Sequence, residues 1–256
     1  MKKPGSILGI IGGGQLGKMI SVAASRLGFK ANIFDPNIDC PASHVCNKFI
    51  CADYKDTNAL MNFAEICDVI TYEFENIPLD TIRLFHNKID VKPNIKSLEI
   101  AQDRLNEKIF LQKLGIHTAR YYLITNFNEL ALALKELNGI GILKTRRLGY
   151  DGKGQTRIHN NKHISDAMEN LHGKDGVLEE IIDFKCEISI IIVRKSNTEV
   201  KAYDVSENIH KNGILRKTIV PANISNVCLN QAKAIGLLIA KTLDIKGILA
   251  VEMFIT

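Results

Sequence analysis

The sequence lacks the patterns that mark several common protein classes. Its apolar runs are too short to cross a bilayer, and its basic residues are dispersed rather than gathered into runs that track nucleic acid. Six cysteines are present without a Cys-x-x-Cys pair, and no two histidines have metal-ligand spacing. These absences argue against a membrane protein, a nucleic-acid-binding protein and a zinc protein. They favour free thiols in a reducing cytosol, and hence a cytoplasmic protein.

Length and composition fit an ordinary globular enzyme. The 256 residues are 46% hydrophobic and 24% charged, so the chain can bury a normal core. The formal net charge of +5 suits small anionic substrates. Met1 is followed within a few residues by a strand-like apolar run, so we expect no signal peptide.

Alternating apolar runs and helical stretches predict an α/β protein with three segments. Residues 1–94 are predicted to form a Rossmann-like domain, because short buried strands alternate with helices there. Residues 95–175 are predicted to form a linker helix, at 95–114, and a small subdomain with a glycine-rich flap. Residues 176–256 are predicted to form antiparallel strands and one helix, as a larger subdomain that is incomplete at its C-terminus.

A glycine-rich basic loop follows one of the apolar runs. The run at 140–143 ends in Lys144, and the loop at 146–155 contains three glycines and a second lysine, Lys153. Glycines let backbone N–H groups approach an oxyanion closely, and the lysines add point charges. The pattern predicts a flap that holds and covers nucleotide phosphates. The alternative is an ordinary surface hairpin with a basic turn.

A second glycine-rich turn lies near the N-terminus. Residues 12–17 fit G-x-G-x-x-G between a strand and a helix, and Asp35 ends the next predicted strand. This is the fingerprint of a dinucleotide-binding site, so a nicotinamide- or flavin-dependent enzyme stays an alternative. The same turn also serves plain strand–helix packing, and the fingerprint leaves everything after residue 100 unexplained.

Carboxylates stand at several predicted strand ends. Glu73 and Glu75 share a face after a buried strand, where open parallel sheets bind ligands. Residues 179–182 end another strand and Glu187 opens the next, so their carboxylates and backbone are candidates to meet a ribose and an adenine edge. Each segment by itself also fits a solvated strand end or an acidic hairpin.

Two further segments carry candidate ligands. The polar stretch 208–213, which contains His210, is predicted to be a turn. Glu252 lies inside the apolar strand at 249–254, and a carboxylate between buried neighbours needs a partner. A divalent metal is the natural partner in a protein that handles phosphates.

Taken in order, these segments resemble the ATP-grasp ligases. More narrowly, they resemble the family among them that carboxylates 5-aminoimidazole ribonucleotide in purine biosynthesis. The resemblance runs over essentially the whole chain and rests on residues 10–19, 71–76, 102–104, 144–155, 179–182, 187, 208–213 and 251–254. It implies a Rossmann-like N-terminal domain followed by an ATP-grasp domain of the α+β type.

The resemblance also implies ligands and roles for individual residues. Lys144 and Lys153 are implied in catalysis, and Glu252 in binding Mg²⁺ as the first of two metal carboxylates. The implied ATP-binding residues are Arg104, Lys144, Gly149, Tyr150, Asp151, Gly152, Lys153, Gly154, Gln155, Glu179, Glu180, Ile181, Ile182, Glu187 and His210. The implied residues for the aminoimidazole ribonucleotide are Gln15, Leu16, Glu73, Tyr150, Asp151 and Lys153.

The implied reaction joins bicarbonate to the amine of the ribonucleotide with ATP and Mg²⁺. The implied partners are therefore these small molecules and a second copy of the chain in a homodimer, without nucleic acid or membrane. Three alternatives remain: another ATP-grasp ligase, such as a formate-using purine enzyme; a nicotinamide-dependent oxidoreductase; and a folded remnant that binds nucleotide without catalysis.

The sequence departs from the family pattern at two places. Leu148 stands where the flap usually has a glycine, and the sequence stops at Thr256, on an apolar strand. The family continues with a second metal carboxylate and a basic stretch that grips the substrate. We therefore expect a truncated chain with little or no ligase activity of its own.

Overall fold

The computed structural model describes residues 2–149, 153–159, 164–211 and 213–256. The chain divides into two compact units. The first comprises Met1–Glu99 with Ile245–Gly247, and the second comprises Ile100–Asp244 with Ile248–Thr256. No helix in the described ranges is long and apolar enough to cross a membrane. All six cysteines lie within these ranges and are free thiols, as the sequence predicts.

The first unit contains a four-stranded parallel sheet with the strand order β3-β2-β1-β4. The strands are β1 (Ile7–Ile11), β2 (Lys30–Asp35), β3 (Lys48–Cys51) and β4 (Val69–Tyr72). The helices between and after them are α1 (Gln15–Arg26), α2 (Thr57–Glu65) and α3 (Leu79–Arg83), with a 3₁₀ turn at Pro41–His44. The predicted α/β architecture is confirmed here.

Both faces of this sheet are buried, which explains why its strands are almost wholly apolar. Ile10 and Ile33 pack on one face, and Ile11 and Phe34 pack on the other against Phe63. The chain leaves β1 toward β2 on one side, whereas β4 pairs on the other side. The carboxyl ends of β1 and β4 therefore flank a topological switch point, where open α/β sheets bind ligands.

The predicted single helix over 95–114 is wrong, because the structure has two. Helix α4 (Ile95–Ala101) ends before Asp103, and helix α5 begins after it as Arg104–Lys113. Asp103 has an extended backbone and its carboxylate accepts the N–H groups of Leu105 and Asn106, so it caps α5. The cap interrupts an amphipathic pattern that otherwise runs on.

The second unit contains two sheets. The first is antiparallel, in the order β5-β8-β6-β7, and it packs against two helices around a core that includes Leu130, Leu134 and Leu178. Its strands and helices are β5 (Tyr121–Ile124), α6 (Phe127–Glu136), β6 (Gly141–Thr145), β7 (Gln155–Ile158), α7 (Ile164–Glu169) and β8 (Gly176–Glu179).

The second sheet has five strands, with β9 in contact with β10, β11 and β13. Its elements are β9 (Cys186–Arg194), β10 (Val200–Ala202), β11 (Ser206–Lys211), β12 (Ile214–Ile219), α8 (Asn226–Thr242) and β13 (Gly247–Ile255). Gly236 of α8 lies against Ile190 and Ile192, so the absence of a side chain there allows close packing of the helix on the sheet.

The predicted turn at 208–213 is wrong over its first four residues, which belong to β11. Asn208 is buried, but its amide donates to Ser189 Oγ at 2.9 Å and accepts from Thr218 Oγ1 at 3.1 Å. These cross-strand hydrogen bonds satisfy the polar side chain, so the strand continues through it. The polar composition misled the sequence interpretation.

Candidate functional site

The glycine-rich loop joins two hydrogen-bonded strands. Lys144 of β6 pairs with Gln155 of β7, and the Thr145 N–H donates to the Gly154 carbonyl at 2.7 Å. Gly154 has a φ of +70°, and a Cβ there would lie 2.6 Å from Thr145 Oγ1. Strands β6 and β7 therefore form a hairpin that requires glycine at its closing position, Gly154.

Part of the predicted flap lies outside the described residues, namely Tyr150, Asp151 and Gly152. The described parts show Leu148 with a φ of +65° and 57% exposed, and Lys153 is also exposed. Leu148 thus adopts the left-handed conformation that a glycine would take without strain.

The start of helix α5 holds the base of this loop. Arg104 donates from its backbone N–H to the Arg146 carbonyl at 3.0 Å and from Nε to the Thr145 carbonyl at 3.1 Å. Asp103, which is fully buried, accepts from Arg146 Nε at 2.8 Å and from Arg147 Nε at 3.1 Å. The two residues before the loop tip are thereby fixed to α5 by ion pairs and backbone hydrogen bonds.

The charge of Asp103 is stabilised in this position. Burial by itself raises the pKa of its carboxyl, but hydrogen bonds from Arg146, the Asn106 backbone and Arg147 outweigh the burial and hold the pKa below its ordinary value. Arg146 also reaches Asp175 at 3.4 Å. The loop base is therefore held by ionised side chains at neutral pH.

Lys144 points toward a buried carboxylate at the end of the neighbouring strand. Its Nζ lies 3.0 Å from Glu179 Oε2, and the Nζ of Lys108, on α5, lies 3.3 Å from the same oxygen. Burial by itself raises the pKa of Glu179, but the charges of Lys144 and Lys108 outweigh it and lower that pKa. The result is a cluster of two ammonium groups and one carboxylate, with a net charge of +1.

The segment after Glu179 is fixed by a surface ion pair. Glu180 accepts from Arg120 Nε and Nη2, each at 3.0 Å, in a bidentate arrangement, and its N–H donates to the Arg120 carbonyl at 2.9 Å. The hydrogen bonds from Arg120 lower the pKa of Glu180. Ile181 and Ile182 follow, half-buried, in the link to β9. The start of the linker is therefore hydrogen-bonded to Arg120 through both the side chain and the backbone of Glu180.

The second sheet brings Glu187 and His210 together. Glu187 of β9 pairs in register with Asn208 of β11, and His210 follows an irregularity in the pairing of β11 with β12. The Nδ1 of His210 contacts a Glu187 carboxylate oxygen. Both side chains are about one quarter exposed. A carboxylate and an imidazole at a partly open position suit hydrogen bonding to a ribose.

Glu252 does not have the buried neighbours that the sequence predicted. Its side chain is exposed in β13, where residues alternate between half-buried and exposed positions. The strand is therefore open on the face that carries Glu252. Within the described ranges, no three His, Cys, Asp or Glu side chains form a group that could hold a metal. One exposed carboxylate still fits Mg²⁺, which is commonly held by one or two carboxylates with phosphate and water.

The N-terminal glycine turn in the first unit is occupied by the chain's own carboxylates. Glu73 accepts the N–H groups of Gly14 and Gly17, each at 2.7 Å, and Asp35 accepts that of Gly13 at 2.7 Å. A Cβ on Gly14 would lie 2.5 Å from Glu73 Oε1. The donors that would bind a dinucleotide pyrophosphate are thus already satisfied.

The carboxylate of Asp35 likewise already accepts hydrogen bonds within the first unit. It is buried, its Oδ2 accepts from the Tyr54 hydroxyl at 2.9 Å as well as from Gly13, and its Oδ1 accepts from the Asn37 N–H at 2.8 Å. A ribose-binding acid needs a free carboxylate oxygen, so the geometry does not favour the nicotinamide or flavin interpretation. Gln15 and Leu16, at the start of α1, are exposed.

The structure therefore groups some of the predicted residues and adds others. Lys144 and Glu179 are in direct contact, as are Glu187 and His210, whereas Glu73 binds the turn that precedes Gln15. The sequence interpretation gave no role to Lys108 or Asp103. Lys108 lies one helical turn after Arg104, and that spacing was the available signal.

Comparisons with known proteins place this geometry in a family. A family profile described as "ATP-grasp domain" matches residues 109–256, and one described as "Ribonucleotide synthetase preATP-grasp domain" matches residues 5–102. The chain is 42% identical over 255 residues to an N5-carboxyaminoimidazole ribonucleotide synthase of Brucella melitensis, covering 99% of this chain and 70% of that protein.

Solved structures agree with the sequence comparison. An N5-carboxyaminoimidazole synthetase of Staphylococcus aureus in complex with ADP matches with a TM-score of 0.93 and 37% identity, over 99% of this chain and 67% of that one. A synthase of Aspergillus clavatus in complex with ADP and 5-aminoimidazole ribonucleotide matches with a TM-score of 0.89 and 27% identity, over 98% of this chain and 66% of that one.

Proposed function

Since the chain belongs to the N5-carboxyaminoimidazole ribonucleotide synthase family of ATP-grasp ligases, we propose that it carboxylates 5-aminoimidazole ribonucleotide with bicarbonate and ATP. Bicarbonate attacks the γ-phosphate, which gives carboxyphosphate and ADP. The ribonucleotide amine then captures the carboxyphosphate, or the carbon dioxide released from it, and phosphate leaves. A formate-using ligase and an oxidoreductase are not favoured by these relatives.

The observation that carries the proposal is the place of Lys144 at the end of β6, beside the glycine hairpin. Its ammonium is held by Glu179 at a strand end, and the hairpin base is held by Arg104 and Asp103. Phosphoryl transfer depends mainly on positioning and on neutralising charge, which a pre-organised ammonium supplies. The hairpin tip, including Lys153, would cover the phosphates and exclude water that would otherwise hydrolyse carboxyphosphate.

The other assignments follow the family resemblance. Glu187 and His210 would hold the ribose of ATP, and the linker 180–182 the adenine edge. By the same resemblance, Glu73, Gln15 and Leu16 are candidates to bind the acceptor ribonucleotide. Bound Mg²⁺ would neutralise phosphate charge, with Glu252 as one of its carboxylates. A homodimer in the cytoplasm, without a nucleic-acid partner, completes the proposal.

Calorimetry with ATP and with NADH in magnesium buffer tests the nucleotide. We expect binding of ATP alone, because the donors of the N-terminal turn are occupied by Glu73 and Asp35. Lys144→Ala should weaken ATP binding by about 1.5–3 kcal/mol, the range for a hydrogen bond involving a charged group. Lys153→Ala should cost less, because Lys153 is exposed near the hairpin tip.

Lys113→Ala, at an exposed position at the end of α5, is the matched control and should bind like the wild type. Binding of NADH without ATP would contradict the proposal, and so would an unchanged affinity in Lys144→Ala. The carboxylation step is tested separately, by phosphate release that depends on both bicarbonate and the ribonucleotide.

A further inference from the structure

The cluster at Glu179 contains one more cation than a simple ion pair requires. Lys144 and Lys108 contact the same oxygen, Oε2, at 3.0 and 3.3 Å. The Lys108 side chain is 11% exposed and the Lys144 side chain 20% exposed. Lys108 also lies 5.5 Å from the centroid of the Tyr121 ring, which adds a cation–π contact. Lys108 is thus enclosed, whereas Lys144 is more accessible.

The charge balance of this cluster bears on the binding of an anion. A lysine paired with a single glutamate is neutral as a pair, so Glu179 alone would cancel the charge that Lys144 offers to a phosphate. If Lys144 moved to the nucleotide, a buried Glu179 without another partner would also be left with an uncompensated charge, which is strongly unfavourable. Lys108 keeps Glu179 paired even when Lys144 contacts the nucleotide. It also gives the three side chains a net positive charge, which favours the binding of an anion.

We infer that Lys108 is a positioning residue for ATP binding: it is the permanent partner of Glu179 and so frees Lys144 to engage the nucleotide. This inference rests on the proposed function, in which Lys144 binds ATP. The groups that face Glu179 are Lys108 from α5, Lys144 from β6, and Tyr121, its register partner on β5. None of the other charged side chains in the described ranges forms an ion pair with Glu179.

The test is a double-mutant cycle on ATP affinity, measured by calorimetry. Lys108→Met keeps the apolar stem and removes the charge, and we expect it to raise the Kd for ATP about tenfold, the effect of losing one charge-assisted contact. In a Glu179→Gln background the same substitution should change the Kd less than about twofold, because there is no carboxylate left to compensate. Lys108→Arg should restore most of the affinity.

A second readout separates this role from a merely structural one. In Lys108→Met, Glu179 loses its remaining partner when Lys144 turns to ATP, so ATP binding should take up a fraction of a proton in mildly acidic buffer. Titrations in buffers of different ionisation enthalpy measure this uptake. The wild type and the surface control Lys113→Met should show little of it.

The outcomes distinguish the inference from the proposal beneath it. Equal losses of affinity from Lys108→Met in the wild-type and the Glu179→Gln backgrounds would overturn the role of Lys108, as would an unchanged Kd in Lys108→Met when the wild type binds ATP. Failure of the wild type to bind ATP would overturn the proposed function, and the inference with it. If Lys108→Met does not fold, Lys108→Gln replaces it and should show the same dependence on Glu179.

Discussion

Asp103 should be the residue whose charge matters most for the stability of the hairpin base. Its Oδ1 accepts from Leu105 N, Asn106 N and Arg146 Nε, and its Oδ2 accepts from Arg147 Nε. Asp103→Asn preserves the helix cap, since Asn and Asp cap equally well. The substitution removes the charge, however, and turns an amide donor toward Arg147.

The magnitude follows from how far each arginine is exposed. The Arg146 side chain is 28% exposed and that of Arg147 is 48% exposed, whereas Asp103 is fully buried. The contact with Arg146 is therefore the stronger one, and the contact with Arg147 is screened by solvent. We expect Asp103→Asn to destabilise the second unit by about 2 kcal/mol, and Arg147→Ala by less than about 1 kcal/mol.

Hydrogen exchange measured on peptides from Arg104–Lys113 and Gly141–Thr145 reports this loss where it occurs. The pKa of Asp103 is lowered in the folded protein, so its stabilisation is present above the unfolded pKa of about 3.9 and is lost as the pH falls through the folded value. The difference between Asp103→Asn and the wild type should therefore shrink in acid. Asp183→Asn, on an exposed link, should match the wild type throughout. A deficit that stays constant with pH would refute the electrostatic argument.

Two further substitutions test the two glycine-rich segments. Gly115→Ala should destabilise the protein by about 1 kcal/mol, and Gly154→Ala should cost more. Both glycines have a φ near +70°, but only at Gly154 would a Cβ collide with Thr145 Oγ1. Urea denaturation measures both free energies of unfolding, and equal losses would contradict this steric argument. Glu73→Gln should lower the hydrogen-exchange protection of α1 by about 1–2 kcal/mol, because one of the two backbone N–H donors loses its acceptor. The control is Glu65→Gln, at an exposed position of α2. Unchanged protection in Glu73→Gln would show that Glu73 does not hold the turn.

The parallel sheet of the first unit was predictable because its signal is local. Each strand is a short apolar run bounded by turns, and strands buried on both faces carry that pattern in their own residues. The short buried strands predicted within residues 1–94 are found there as β1 to β4. The break at Asp103 was not predictable in the same way. Its carboxylate is buried by Arg146 and Arg147, which lie more than forty residues further along the chain.

The contacts within the candidate site were not predictable from the sequence, although two of the residues that make them stand out in it. Lys144 stands out because it ends an apolar run before a glycine loop, and Glu179 because it ends another. Lys108 does not end an apolar run, and its spacing from Arg104 is a weak signal, since a lysine on an amphipathic helix usually faces solvent. Its burial depends on Glu179, a tertiary contact. The alternation of half-buried and exposed residues in β13 likewise decides the exposure of Glu252, and an almost uniformly apolar strand does not reveal it.

The two glycine-rich loops show why local pattern alone does not assign a phosphate site. Both loops are rich in glycine and follow a strand. The fold brings carboxylates to the first loop, where Glu73 and Asp35 accept three backbone N–H groups, and it brings cations to the second, where Lys144 and Arg104 lie at the base. A phosphate approaching the N–H groups of the first loop would have to displace a carboxylate and would meet like charge. One approaching the second would meet a net positive cluster. The sign of the charge delivered by distant residues therefore favours the second loop, and not the N–H groups of the first, as the place for the phosphates of ATP.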